Sequence, residues 1–118
     1  MDTAATFFKA LSDQTRLRIV HLLSYQKLCV CQLMEAMSIS QAKVSRHLAV
    51  LRQAGLVTSH KQAQWVWYQL TDQTLLNCKE FQSFLAGQIG ADEDFQRMQK
   101  LDPALLCGDF PNNNEKEC

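Results

Sequence analysis

Cys29 and Cys31 stand two residues apart in a chain of 118 residues that holds five cysteines in all. Thiolates are soft ligands and reversible redox groups, so two of them this close suit a thiophilic metal or metalloid, or an oxidation switch. Met34 adds a thioether three residues on, and the three sulfurs together would suit Cu(I). The cysteine count is odd, and the start Met1-Asp2-Thr3 lacks the basic-then-apolar layout of an export signal. Free thiols, metal ligands or redox groups are therefore favoured over a disulfide framework. The plain alternative is that Cys29 and Cys31 are small buried apolar residues, a common fate of cysteine. A zinc site is disfavoured because the only histidines are His21, His47 and His60, with none after Thr71. No Cys-x-x-Cys, no βαβ pattern and no cysteine-histidine pairing at useful spacing is present, so a small thiol oxidoreductase is a distant alternative and no enzyme activity is expected.

A second chemistry-bearing set follows directly. The formal net charge is zero, but the charges are sorted. Residues 36–71 carry Lys43, Arg46, Arg52 and Lys61 and no acid, whereas residues 72–118 have nine acids against four bases. The middle of the chain is thus the part fitted to a polyanion, although four charges spread over that length would also suit an ordinary solvated surface. At about 100° per residue, Val44, Leu48 and Leu51 share one helical face while Ala42, Arg46, Ala49 and Val50 share the other. Small Ala42 permits close approach to a groove floor, and Gln41, Ser45 and Arg46 offer hydrogen bonds to base edges or phosphates, with Lys43 suited to phosphate. His47 lies near the inward face and reads as a packed or backbone-bonded histidine. Lys61, Gln62 and Gln64 are placed to reach phosphate or the minor groove from a neighbouring hairpin, in which Trp65 and Trp67 read as packing residues.

The elements that must position these groups can be read from periodicity and caps. Phe7, Phe8 and Leu11 are expected on one face of a first helix, and Ser12-Asp13 supplies the start of a second that runs to about Leu23 and is apolar over more than half its circumference. Leu28, Val30, Leu33, Met34 and Met37 predict a short helix over 28–37. Ser38-Ile39-Ser40 breaks it, Ser40 caps a fourth helix to Ala54, and Gly55 ends that helix. Leu56 to Ser59 and Trp65 to Leu70 predict a hairpin with a polar turn at 60–64. The expected fold is mainly α with a β-hairpin wing: a winged helix-turn-helix. Leu75, Leu76, Cys78, Phe81, Phe84, Leu85 and Ile89 form a further amphipathic stripe left over once the core is filled, so a dimer built from the N- and C-terminal helices is expected. Residues 1–90 are read as the DNA-binding and dimerisation domain, and 91–118 as a partly flexible C-terminal extension with Cys107 and Cys118. No apolar run is long enough to span a membrane, and a cytoplasmic location is expected.

The runs Phe8-Lys9-Ala10-Leu11-Ser12-Asp13-Gln14-Thr15-Arg16-Leu17-Arg18-Ile19, Leu28-Cys29-Val30-Cys31-Gln32-Leu33, Ser40-Gln41-Ala42-Lys43-Val44-Ser45-Arg46-His47-Leu48 and Leu51-Arg52-Gln53-Ala54-Gly55-Leu56-Val57 together resemble the arsenical-resistance repressor (ArsR) family, in its arsenic-responsive branch. The resemblance covers residues 7–70. It implies a homodimer on palindromic double-stranded operator DNA that is released when As(III), or Sb(III), binds cysteine thiolates; no catalytic cofactor is implied. Three positions depart from the family pattern: Gln14 stands where proline is frequent, Ala63 where the wing usually has glycine, and Met34 where a third cysteine is expected. The third ligand is then sought in Cys78, Cys107, Cys118 or an exogenous thiol, or is absent. Cd(II), Pb(II), Cu(I) and thiol oxidation or persulfide remain alternative signals. Within a regular helix, Cys29 and Cys31 would point roughly 200° apart, so the predicted helix must unwind at its start for both to hold one atom.

Overall fold

The computed structural model describes residues 4–71, 79–87 and 91–101. Local signals set most boundaries. Asp13 is extended and its carboxylate accepts from the Arg16 N–H at 3.0 Å, starting the second helix. Ser40 does the same for the fourth, accepting from the Lys43 N–H at 3.2 Å. That helix closes with the Leu56 N–H on the Leu51 carbonyl and the Gly55 N–H on the Arg52 carbonyl, both 3.0 Å, which requires the left-handed φ of 82° at Gly55. The described elements are α1 (Ala4–Leu11), α2 (Gln14–Leu23), β1 (Leu28–Cys29), α3 (Val30–Met37), α4 (Gln41–Gln53), β2 (Val57–Gln62), β3 (Trp65–Leu70), α5 (Lys79–Ala86) and α6 (Ala91–Gln99). The chain is mainly helical with a β wing, and α3 and α4 are joined by Ser38-Ile39-Ser40 as a helix-turn-helix.

Three expectations need correction. Leu28 and Cys29 are not helical: they form a strand that pairs antiparallel with β3, Leu28 opposite Tyr68 and Cys29 opposite Trp67, so the sheet has three strands in the order β1-β3-β2. Two residues carry no period of their own, and only the partner strand makes them a strand. The first wing strand also runs further than expected, to the Gln62–Trp65 pair, leaving Ala63-Gln64 as the whole turn with Ala63 at a φ of 58°, while β3 has the expected bounds. Finally, Phe8 faces outward at 63% exposure while Phe7 and Leu11, one turn apart, face the core. Of the predicted last stripe, Phe81 and Leu85 pack inward from α5 and Phe84 is exposed; Leu75, Leu76, Cys78 and Ile89 lie outside the described residues.

One core joins α1 to α4 with the sheet, centred on Ile19, Leu22, Leu28, Leu33, Met37, Leu48, Leu51 and Leu56. Helix α6, from the segment read as an extension, also enters it through Met98. It is held by a buried carboxylate: Asp94, 1% exposed, takes both arms of Arg18, Nε at 2.8 Å and Nη2 at 2.9 Å, and Arg97 Nη2 at 3.3 Å. The same arginines cap the end of α3, Arg18 donating to the Met37 carbonyl at 3.1 Å and Arg97 to the Ala36 carbonyl at 2.7 Å. Hydrogen bonding to Asp94 raises the Arg18 pKa above its ordinary value. Helix α5 is tied to α2 by Gln82, whose amide donates to the Ser24 carbonyl at 3.1 Å.

Removing one partner strands the buried charge of the other, at a cost of several kcal/mol. Arg18→Ala should therefore lower the unfolding free energy by about 3 kcal/mol, measured by urea denaturation; a loss no greater than at an exposed surface arginine would show that Asp94 does not depend on it. Ala63→Gly should raise the urea midpoint, because the left-handed strain of a residue with a Cβ, about 1 kcal/mol, outweighs the added chain entropy of glycine. An unchanged or lower midpoint would mean the turn carries no strain there.

Candidate functional site

The register of β1 against β3 divides the small sheet into two chemistries. Directly opposed residues of an antiparallel pair share a face. Leu28 and Tyr68 accordingly join the main core, whereas Cys29 and Trp67 turn to the other side. Trp65, two residues from Trp67 on the same strand face, and Cys31, from the first turn of α3, complete that second cluster. Cys29 is fully buried and Cys31 is 8% exposed. Their sulfurs lie 3.4 Å apart.

The approach of the two sulfurs follows from Cys29 being the N-cap of α3, with extended backbone at φ −99° and ψ 173°, rather than a residue inside the helix. The expected 200° divergence does not arise, and no helix has to unwind to bring the sulfurs together. Gln32 fixes this geometry: its side-chain oxygen, in a side chain 1% exposed, accepts from the Cys29 N–H at 3.1 Å. This is a capping box in which cysteine stands in the usual serine position. The Cys29-x-x-Gln32 spacing is a sequence signal for it, hidden by the unusual cap residue. Burial pushes the Cys29 thiol up to about 11, while the backbone N–H groups of Gln32 and Cys31 pull it the other way. Cys31 is disulfide-bonded, which corrects the expectation of free thiols at this position, and its partner lies outside the described residues. Met34 is half-buried against the main core rather than in the Cys-Trp cluster. Cys78, Cys107 and Cys118 lie outside the described residues. Lys27 places its ammonium 5.3 Å from the Trp67 ring centroid, a cation-π contact at the outer edge of the cluster.

The groups expected to face DNA come from two elements. On α4, Gln41, Lys43 and Arg46 are exposed and Ser45 is half-exposed, with Ala42 and Ala49 on the same outer side. On the wing, Lys61, Gln62 and Gln64 are exposed at the closed end of the hairpin, Lys61 and Gln62 on strand β2 rather than in a loop. Arg52, near the end of α4, donates to Ser59 on β2 at 3.2 Å and links helix to wing. His47 is buried on the inner side, its Nδ1 3.2 Å from Arg16 Nη1 and 3.6 Å from Asp13. Desolvation first, and then the nearby Arg16, Arg46 and Lys43 charges, lower its pKa against the pull of Asp13. The neutral ring accepts from Arg16, which also donates to the Ala10 carbonyl at 2.6 Å. Arg16 thereby joins the end of α1, the start of α2 and the middle of α4. Among the described residues no helix is long and apolar enough to cross a membrane.

Comparison with known proteins agrees with this architecture. A family model described as "Bacterial regulatory protein, arsR family" matches residues 13–59. The chain is 55% identical over 65 residues to the arsenical resistance operon repressor of Escherichia coli K12, a stretch covering 54% of this chain and only 56% of that protein. It is 43% identical over 75 residues to the cadmium resistance transcriptional regulatory protein CadC of Listeria innocua, covering 63% of each. Among solved structures, reduced HlyU from Vibrio cholerae superposes with a TM-score of 0.61 at 35% identity, over 70% of this chain and 84% of that one. The chain belongs to the arsR family of bacterial regulatory proteins.

Proposed function

We propose that the chain is a metalloid-responsive transcriptional repressor: a homodimer that binds operator DNA through Gln41, Lys43, Ser45 and Arg46 of α4 and Lys61, Gln62 and Gln64 of the wing, and is released when As(III) or Sb(III) binds Cys29 and Cys31. The observation that carries this reading is the 3.4 Å separation of the two sulfurs at the start of the helix that leads into α4. That spacing would leave both thiols within reach of one soft atom once the Cys31 disulfide is reduced. Dimerisation through the N- and C-terminal helices is supported by Phe8 on α1 and Phe84 on α5, each more than 60% exposed. Residues 1–90 supply the DNA-binding and dimerisation domain in this reading, and 91–118 an extension whose α6 docks on the core.

As(III) is favoured over Cd(II), the metal named for one relative, by the state of the thiol. A thiol pushed up to about 11 by burial is protonated at neutral pH. Arsenous acid carries hydroxide that can take the thiol proton away as water, whereas a bare dication must first expel the proton into solvent. A ligand that binds the DNA-free state more tightly lowers DNA affinity by that difference and no more. The linkage runs through elements that the site touches directly: the first turn of α3 and the root of the wing. A second reading, release on thiol oxidation, is favoured by the disulfide at Cys31 and by the likeness to a protein solved in a reduced form.

Both readings are separated by a DNA-release titration on the native promoter, using reduced protein with arsenite, with Cd(II) and with a mild thiol oxidant. Arsenite should release the DNA, and Cys29→Ser and Cys31→Ser should bind DNA normally while losing at least tenfold in arsenite sensitivity. Normal arsenite response in both variants would remove the cysteine pair, and release by oxidant alone would favour the second reading. Arg46→Ala should weaken DNA binding and lower the salt slope by about one unit with the dimer still folded; unchanged affinity and slope would take Arg46 out of the interface.

A further inference from the structure

We infer that His47 is a positioning residue for DNA binding: by accepting a hydrogen bond from Arg16 it fixes the orientation in which α4 presents Lys43 and Arg46, and a proton on its ring releases that hold. This rests on the reading of α4 as the DNA-facing helix, and concerns how α4 is held rather than whether it binds. Val44, Leu48 and Leu51 bury the inner face of α4 in the main core. Apolar contacts are non-directional, so they set how close the helix lies more than how it is turned. A directional tie comes from His47, buried, with Nδ1 3.2 Å from Arg16 Nη1. The guanidinium is itself anchored: its Nε donates to the Ala10 carbonyl at the end of α1 at 2.6 Å, and the Arg16 N–H donates to Asp13 at 3.0 Å. His47 therefore docks α4 on a group fixed to both α1 and the start of α2, while Arg46, its neighbour in sequence, is exposed on the outer side.

A guanidinium only donates, so this bond requires a lone pair on Nδ1 and puts the ring's own proton on Nε2. Protonation turns Nδ1 into a second donor and sets two like charges against each other. The Asp13 carboxylate, 3.6 Å from Nδ1, is then the acceptor within reach, so the ring exchanges a partner shared with α1 for one at the α2 cap. Among the described residues, the charged groups that bear on the ring are Asp13 and Arg16 at the start of α2 and Arg46 and Lys43 on α4; α3 and β2, also packed on α4, add none. Burial first, and then the three cations, hold the His47 pKa below its ordinary value against the pull of Asp13. At neutral pH the ring is accordingly neutral and the Arg16 bond intact.

The test is the affinity of the full chain for a fluorescein-labelled duplex of its native promoter, read by anisotropy from about pH 8 to about pH 5.5. Asparagine places a carbonyl oxygen where Nδ1 stands but leaves part of the ring's volume empty, whereas leucine fills space and accepts nothing. At neutral pH His47→Asn should bind within about twofold of the wild-type chain and His47→Leu about fivefold more weakly, the loss being set by the fraction of α4 left in the binding orientation. On acidification the wild-type chain should lose affinity relative to His47→Asn. The opposite order, with leucine binding normally and asparagine weakly, would make His47 a packing residue and overturn the inference. Equal pH profiles, or wild-type affinity that rises in acid relative to His47→Asn as a bare positive charge near phosphate would make it rise, would also overturn it. Should His47→Leu fail to fold by urea denaturation, the pH comparison with His47→Asn decides alone. Arg46→Ala binding as the wild-type chain does would instead overturn the reading of α4, and the inference with it.

Discussion

Asp94 is an ionisable side chain with almost no exposure, and a carboxylate in that position is tolerable only when its charge and its lone pairs are met. Arg18 meets them in a two-pronged contact from α2, and Arg97 adds a third bond from α6 itself. Neither arginine stops there. Each also reaches a terminal carbonyl of α3, which would otherwise be left without a partner at the helix end. The end of α3 is therefore bound to α2 and α6 by side chains that share one buried acid. Since Ser38 follows immediately, in a left-handed conformation at φ 57°, the direction in which α4 departs is fixed by the same cluster. The DNA contact proposed for α4 depends on that direction.

The opposite end of α3 is held differently. There the cap is a cysteine, the return bond comes from Gln32, and the strand before it is stitched to β3. Helix α3 is thus pinned at its C-terminus by charge and at its N-terminus by a sheet pairing whose far face carries Trp65 and Trp67. Strand β3 continues into the hairpin with β2, which carries Lys61 and Gln62. A ligand at Cys29 and Cys31 would press on the one element shared by the helix pair and the wing.

Much of this was readable in the amino acids. Asp13, Ser40 and Gly55 are short-range signals whose partners lie within a few residues, and the bounds of α2 and α4 follow them closely. The outward face of α4 follows from the same periodicity. What escaped is set by partners far along the chain. Arg18 and Asp94 are separated by 76 positions, and nothing around Asp94 in the acidic C-terminal part marks it for burial. Strand β1 exists because β3 does, so the sequence suggested a helix over residues whose apolar spacing fits one. Trp65 and Trp67 read correctly as packing residues, but only the register of β3 says that they pack against Cys29 and Cys31.

The change from a helical to an extended Cys29 alters the physics of sensing. A cysteine pair inside a helix could be joined only by breaking backbone hydrogen bonds, and the cost of unwinding would itself be the signal. With both sulfurs already 3.4 Å apart, little ordering would be needed to bridge them once the Cys31 disulfide is reduced, so binding would lose less free energy to rearrangement of the pair. The signal must then arise where the new atom displaces something. Cys29 has no exposed surface and, among the described residues, packs with Cys31 against two tryptophans, so an atom the size of arsenic would press on an indole or on the first turn of α3. Each of those belongs to an element that carries a residue proposed to face DNA or leads directly into one. In the proposed sensor, preorganised ligands under a packed aromatic wall would place the differential energy in the wall, next to the elements proposed to face DNA, and not in the sulfur pair.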